Sequence, residues 1–276
     1  MKVFYDPRQN AAKNDSFSPS ASKPALVVQA WQEAGIHLDI ESFEPLSVED
    51  ISLAHDEQHV RDILDGRKQN GFYNTLLEVA VSLPWTTGSF AAAAKYAYQT
   101  RRNACSPTSG FHHACHSQCG GFCTFNGLVI AARILTDRFK ATRIGILDCD
   151  RHYGNGTDNI IAALKLQNIA HHTFGQHIHR VEDAKDWLAE LCDLMRNNFQ
   201  GCTVLFYQAG ADPHVNDPLG GLLTTEELRI RDAIVFETAR EMKIPVCWNL
   251  AGGYQEPISK VLEIHTNTAR EAEKME

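Results

Sequence analysis

Short apolar runs alternate along the chain with longer segments in which apolar residues recur at helical spacing. Runs of this length are typical of buried strands, and the longer segments are typical of amphipathic helices. Strands are predicted at residues 3–5, 36–43, 103–105, 144–147, 169–174, 203–208 and 245–250. Helices are predicted at residues 24–35, from 47, 59–64, 88–100, 121–139, from 157, 181–199, 224–242 and 257–275. The polar segment 6–22 is predicted to be a long surface loop.

Strands that alternate with helices predict a three-layer α/β/α architecture around a central, mainly parallel sheet. The chain has 276 residues and no obvious linker, which fits one large domain or two small ones. Because 43% of the residues are hydrophobic, the chain can build a substantial core. We predict a single domain over residues 1–276.

Charge and hydropathy exclude some classes of protein. The net charge of −8 argues against general nucleic-acid binding, which needs a basic face. Residues 1–5 are too short for the apolar region of a signal peptide, and no apolar run is long enough to span a bilayer. We therefore expect no membrane partner and a cytoplasmic location, where the eight cysteines would be reduced thiols.

The segment 144–157 carries the strongest chemical signal. An apolar run at 144–147 is followed by Asp148, Asp150 and His152. If the backbone stays extended, these side chains point to one side, because alternate residues of a strand share a face. Two carboxylates and an imidazole suit zinc and related divalent metals. The alternative is a set of solvated turn residues before a sharp glycine turn.

Three further groups lie where loops are predicted. Asp212 follows a strand and is either a turn residue before proline or a third metal ligand. His112 and His113 are either exposed or act as general base and acid, because imidazole titrates near neutral pH. Tyr254 is either a packed aromatic residue or a donor to a developing oxyanion.

Five segments in order resemble the family of zinc-dependent histone deacetylases and acetylpolyamine amidohydrolases. They are residues 110–114, 121–126, 148–157, 212–220 and 252–254. Any one of these segments is a weak signal, but five in order are specific. The resemblance covers nearly the whole chain and implies the arginase–deacetylase fold.

The resemblance also implies a role for each matching residue. One zinc ion per chain would be bound by Asp150, His152 and Asp212. The catalytic residues would be His113 as base and then acid, His112 backed by Asp148, Asn155 as the partner of the second histidine, and Tyr254 as oxyanion donor. Phe122 would form a wall of the substrate channel, with Gly121 and Gly252 also contacting substrate. A structural potassium ion would be bound by Asp148, Thr173 and the carbonyl groups of Asp150, His152 and Phe174.

The implied reaction removes acetyl groups from acetylated lysine or polyamines and yields acetate and a free amine. An acetylpolyamine-specific enzyme, a binuclear manganese hydrolase of the arginase type and a non-catalytic acetyl binder are alternatives. The arginase type needs a second Asp two residues after Asp212, where this chain has His214. The substrate, the native metal (zinc or iron) and assembly into a homo-oligomer stay open.

Four local features qualify the resemblance. The segment 175–180 is short and predicts a shorter, more open channel. His177 or His179 is a candidate for lining its mouth. His214 is expected to support Asp212 from behind. Cys115, Cys119 and Cys123 are spaced every four residues rather than as paired CxxC motifs, so a second zinc site is disfavoured.

Overall fold

Seven strands form one sheet within residues 1–275, the part of the chain that the computed structural model describes. They are β1 Lys2–Phe4, β2 Asp39–Glu41, β3 Ala104–Ser106, β4 Ile144–Asp148, β5 Ile169–Thr173, β6 Val204–Gly210 and β7 Val246–Ala251. The strand order is β2-β1-β3-β7-β6-β4-β5, and all neighbours pair in parallel.

Ten α-helices connect these strands within the same range. They are α1 Lys23–Glu33, α2 Val48–Ile51, α3 Glu57–Leu64, α4 Leu77–Thr100, α5 Gly127–Phe139, α6 Asn155–Ala163, α7 Phe174–His177, α8 Val181–Phe199, α9 Thr225–Glu241 and α10 Ser259–Glu273. Among these described helices, none combines the length and the apolar composition that crossing a bilayer requires.

The sheet separates two hydrophobic cores, which confirms the predicted three-layer architecture. Successive residues of β6 point to opposite faces, so Leu205 and Tyr207 join one core while Val204 and Phe206 join the other. Helices α1, α8, α9 and α10 cover the first face, and α4 and α5 cover the second. All residues of β6 are buried, as expected for a parallel strand covered on both sides.

Most helix ends lie within two residues of the prediction, but two helices begin at a very different residue. Helix α4 begins at Leu77 rather than residue 88, so it includes Pro84. Helix α5 begins at Gly127 rather than residue 121, because the Asn126 side chain accepts a hydrogen bond from Val129 N and caps the helix. The six residues assigned to this helix in error, 121–126, form a turn that lines the site described below.

The prediction of a surface loop at residues 6–22 is wrong in part. The segment contains two short 3₁₀ turns, at Pro7–Gln9 and Pro19–Ala21. Asn14, Ser18 and Ser20 are buried in it. Their polar side chains bond to the segment's own backbone and hydroxyl groups, which allows burial without an unpaired donor.

Candidate active site

The loops that carry the predicted site residues leave the sheet side by side. Asp148 at the end of β4 is in register with Gln208 of β6, which is in register with Asn249 of β7. Parallel strands end at one edge, and ligands of such sheets bind beyond it. The loops after these strands carry Asp150, His152, Asp212 and Tyr254. The loop after β3, the neighbour of β7, carries His112 and His113.

Two carboxylates converge on one nitrogen of His152. His152 Nδ1 lies 3.0 Å from Asp150 Oδ1 and 3.0 Å from Asp212 Oδ2. Ligand atoms of the three residues lie within 4.8 Å of one another. Both aspartates are buried, and His152 is half-buried. Carboxylate and imidazole groups aimed at one point match the donor set of zinc and related divalent ions.

The electrostatics of these three residues favour a bound cation. Burial, together with the charge of Asp150, raises the pKa of Asp212. Hydrogen bonds to Asp150 and Asp212 raise the pKa of His152 to about 10. The two buried carboxylates therefore need a positive charge between them. A divalent cation supplies that charge while both carboxylates stay ionised, so the residues fit a metal ion.

This cluster is the only one of its kind in the described part of the chain. The predicted support of Asp212 by His214 is wrong, because His214 Nε2 pairs with Thr225 Oγ1 at 2.9 Å. Cys119 and Cys123 each face a backbone carbonyl oxygen at 3.3 Å rather than each other.

The adjacent histidines have different partners. Their ring centroids lie 4.1 Å apart. His112 Nδ1 lies 2.7 Å from Asp148 Oδ2, and the other oxygen of Asp148 accepts a hydrogen bond from Gln208 Nε2 at 2.7 Å. His113 Nδ1 lies 2.6 Å from the amide oxygen of Asn155. One histidine therefore faces a carboxylate and the other a neutral amide.

These partners separate the acidities of the two imidazoles. Burial by itself lowers the pKa of His112, but the charges of Asp148 and Asp150 outweigh it and raise the pKa to about 9. Burial and the neighbouring charge of His112 lower the pKa of His113 to about 4. At neutral pH the pair therefore holds one protonated imidazole and one neutral imidazole that can accept a proton.

Tyr254 follows a glycine turn that is fixed at both ends. Gly252 and Gly253 have φ values of +51° and +91°, which other residues rarely adopt. The ammonium group of the fully buried Lys23 donates to the Gly252 carbonyl oxygen. Tyr254 N donates to Asp217 Oδ2 at 2.7 Å. Burial raises the pKa of Tyr254, so its hydroxyl keeps its proton and can donate a hydrogen bond.

The sequence model of the histone deacetylase domain matches residues 19–184, more than half of this chain. The chain belongs to the histone deacetylase family. The match contains the histidine pair and two of the three candidate metal ligands, and the five segments of the sequence resemblance extend to Tyr254. The predicted family is therefore confirmed.

Individual relatives agree with this family. The chain is 31% identical to "Histone deacetylase 2" of Arabidopsis thaliana over 213 residues, which cover 69% of this chain and 54% of that protein. It is 51% identical to "Acetylpolyamine amidohydrolase 2" of Pseudomonas aeruginosa over 49 residues, 18% of this chain and 14% of that protein. This histone deacetylase family member thus spans about half the length of the Arabidopsis relative.

A solved structure supports the predicted fold. The crystal structure of the HDA15 HD domain superposes with a TM-score of 0.80 at 16% sequence identity. The superposition covers 98% of this chain and 87% of that chain. At this sequence identity the structural likeness establishes only the α/β fold of this deacetylase family member. Its chemistry must be argued from the residues of its own site.

Aromatic side chains border the pocket above the candidate metal ligands. The Phe122 ring centroid lies 5.8 Å from that of Tyr254 and 5.9 Å from that of Phe72. Gly121 precedes Phe122 with a φ of +55°, and a Cβ there would lie 2.4 Å from His113 Cδ2. Gly121 therefore lets the backbone approach the histidine pair beside Phe122, which lines the pocket. Gly252 lines the same pocket.

An open groove lies on the other side of His113 and His152. It is lined by His113, Arg151, His152, Tyr153, Asn155, Gly175, His179 and Leu219. The segment after β5 forms only the short helix α7 before α8 begins at Val181. No aromatic residue of this segment borders the groove among the residues described, apart from the imidazole of His179. His179 therefore borders an open groove beside the site, and the prediction of a shorter, more open channel than in relatives stays a prediction.

The residues predicted to bind potassium lie on adjacent strands and turns. Asp148 is in register with Thr173 on β5. Thr173 Oγ1 accepts a hydrogen bond from Gly154 N at 3.0 Å. A Cβ on Gly175, beside Phe174, would lie 2.4 Å from the His152 carbonyl oxygen. The five residues are thus neighbours, and ion binding by them stays a prediction.

Three residues of the site have no role predicted from the sequence. Gln208 orients Asp148, Lys23 holds the Gly252 carbonyl group, and Phe17 contacts the aromatic wall. A signal for Gln208 exists, because it is a polar residue in the otherwise apolar strand β6. Lys23 and Phe17 come from the segment before or at the start of α1, far in sequence from their partners.

Proposed function

We propose that this family member is a zinc-dependent amidohydrolase that removes acetyl or related acyl groups from lysine side chains or other amines. One observation carries the proposal. One narrow pocket is lined by His112, His113, Asp150, His152 and Tyr254 among others. A proton acceptor, a protonated imidazole, a hydroxyl donor and a metal-ligand cluster therefore face the same small volume.

Asp150, His152 and Asp212 would hold the metal ion. When bound there, the ion would supply Lewis-acid polarisation of the amide carbonyl group and would lower the pKa of a water molecule. Three protein ligands leave positions for water and substrate, as catalytic zinc sites require. The low pKa of His113 supports its role as the group that takes a proton from the attacking water.

The other residues have complementary roles in this proposal. His112 stays protonated beside Asp148 and places positive charge near the developing oxyanion. Tyr254 donates its hydroxyl proton in a hydrogen bond to that oxyanion. His113 then returns its proton to the nitrogen of the departing amine, so the C–N bond breaks without releasing an amide anion. The products are acetate and a free amine.

The open groove favours acyl-lysine or neutral acyl amides over acetylated polyamines. Its lining contains Arg151 and three histidines but no carboxylate. A polyamine would bring further ammonium groups to this surface, where Arg151 would repel them and no lining residue carries a carboxylate. The acetylpolyamine alternative stays open, because a relative of that name matches the chain over 49 residues.

Turnover and metal content test the proposal together. Purified protein should release acetate from acetyl-lysine peptides and should contain one zinc ion per chain by elemental analysis, which also decides between zinc and iron. Asp150→Ala should lose both metal and turnover. A protein that releases no acetate from acetyl-lysine peptides, acetylated diamines or small acyl amides would favour the non-catalytic acetyl binder. Two manganese ions per chain would favour the arginase type.

We also propose a structural potassium ion at Asp148, Thr173 and the carbonyl groups of Asp150, His152 and Phe174. Residues 1–276 are proposed to act as one catalytic domain. The eight free cysteines support a reducing compartment such as the cytoplasm.

A further inference from the structure

The loop before α1 is held in one conformation by its own polar groups. The buried Asn14 donates from Nδ2 to the Ser18 carbonyl oxygen at 3.0 Å and accepts from Ser16 N at 2.9 Å. Asn74 donates to the Asn14 carbonyl oxygen at 2.6 Å. These bonds close the loop on itself and attach it to the segment before α4. Phe17 lies at the tip of this closed loop.

Phe17 combines high exposure with contacts to the pocket. Its relative solvent exposure is 71%, the highest among the exposed large hydrophobic residues of the described chain. Even so, its ring centroid lies 5.2 Å from that of Phe122 and 5.9 Å from that of Tyr254. An exposed phenylalanine gains little from burial in the free protein. Phe17 therefore leaves an apolar surface available beside two pocket residues.

We infer that Phe17 is a specificity-determining residue that packs against the aliphatic chain of the substrate at the mouth of the pocket. The inference rests on the proposed function and specifies how that function selects its substrate. Phe17 and Phe122 meet edge to face, with an interplanar angle of 86°. The groove beside His113 and His152 is lined mainly by polar side chains, with Tyr153 and Leu219 as the exceptions, so the aromatic cluster around Phe17 offers more apolar contact for a straight methylene chain.

Kinetics of Phe17→Ala on an acetyl-lysine peptide test this inference. Loss of the ring should raise KM about fivefold to tenfold, because it removes apolar contact with the methylene chain. The value of kcat should stay within about twofold, because Phe17 contacts Phe122 and Tyr254 only through its ring and has no polar group that could bond to the reacting amide. Phe17→Tyr should restore the KM of the unmodified protein. Leu77→Ala, which truncates a similarly exposed apolar residue at the start of α4, should change neither constant.

The results separate failure of this inference from failure of the proposed function. If the unmodified protein releases no acetate, the proposed function fails, and the role of Phe17 fails with it. If it is active but Phe17→Ala has an unchanged KM, only the role of Phe17 is overturned. A higher kcat/KM in Phe17→Ala would also overturn it, because the ring would then obstruct the mouth. Thermal melting tests whether both Phe17 variants fold. If Phe17→Ala does not fold, Phe17→Leu takes its place in the kinetic comparison.

Discussion

At the scale of single residues, the two adjacent imidazoles differ because of what they touch. His112 faces the buried carboxylate of Asp148, and His113 faces the neutral amide of Asn155. One is held protonated and the other neutral, although the side chains are chemically identical. The division of labour between them therefore depends on their partners and can be changed by substituting a partner.

Asn155→Asp should move the acid limb of the kcat/KM profile toward neutral pH. His113 must be neutral to accept a proton, so its pKa sets the pH below which activity falls. A carboxylate 2.6 Å from His113 Nδ1 would favour the charged imidazole and raise that pKa by about one unit or more. The measurement is kcat/KM between pH 4 and 9. Asn198→Asp, the same change on the exposed surface of α8, should leave the acid limb of the profile where it is. If the acid limb of Asn155→Asp is also unshifted, His113 is not the base.

Tyr254→Phe should lower turnover far more than metal content. The substitution removes one hydrogen-bond donor to the oxyanion, a loss of about 10²- to 10³-fold in kcat in comparable sites. It leaves the ligands Asp150, His152 and Asp212 intact, so zinc measured by elemental analysis should be unchanged. Turnover equal to that of the unmodified protein would remove Tyr254 from the mechanism.

At the scale of elements, the turn after β7 links the metal-ligand cluster to the oxyanion donor. Lys23 at the start of α1 and Asp217 in the loop after β6 bond to its two ends. A Cβ on Gly252 would lie 2.2 Å from Asp212 Cγ. The turn can therefore approach the ligand only as glycine, and its backbone fixes both Asp212 and Tyr254.

Gly252→Ala should displace the Asp212 carboxylate and weaken metal binding by at least about tenfold, because the added methyl group and the carboxylate cannot occupy the same space. Gly201→Ala is the matched control, because Gly201 also has a positive φ of +78° but a Cβ there would meet no atom within 4 Å. The control should lose only the backbone cost of about 1 kcal/mol in stability. Metal titration and denaturant midpoints measure the two effects. An equal loss of metal affinity in both variants would show that backbone strain, rather than the clash with Asp212, weakens metal binding.

At the scale of the whole molecule, buried neutral histidines make the fold sensitive to acid. Burial lowers the pKa of His55 to about 3. Its ring lies 2.9 Å from the Cys115 carbonyl oxygen and accepts a hydrogen bond from Asn126 N at 2.8 Å, so the neutral form fits both partners. The fully buried His265 also has a pKa well below its ordinary value, because burial disfavours its charged form.

Stability should therefore fall as the pH drops from about 6.5 toward 4, because in that range the unfolded chain binds protons at these histidines while the folded protein does not. The ordinary pKa of a histidine in the unfolded chain is about 6.5. Each such histidine contributes a slope of about 1.4 kcal/mol per pH unit. Denaturant midpoints across this range measure the effect, and His37→Gln, a change at an exposed histidine, should leave the slope unaltered. A flat profile would contradict the prediction.

Local sequence patterns are sufficient to predict the strands of the sheet and some of the candidate site residues. The apolar run before Asp148 predicts β4, and the helix predicted at residues 181–199 has the bounds of α8. Asp150 and His152 are recognisable because they follow a strand directly. The start of α4 cannot be recognised from the sequence, because Pro84 and the residues before it lack the alanine-rich pattern of the helix's second half.

The sequence by itself determined the three-layer fold, the family and the set of candidate site residues, because strand and helix periodicity and short motifs are local properties. Only the tertiary structure decided that Phe17 lies at the mouth, that Lys23 holds the Gly252 turn and that His113 is the neutral imidazole. Each of these depends on contacts between residues far apart in sequence. Burial and neighbouring charge at those contacts, rather than residue type, set the geometry and the protonation of the site.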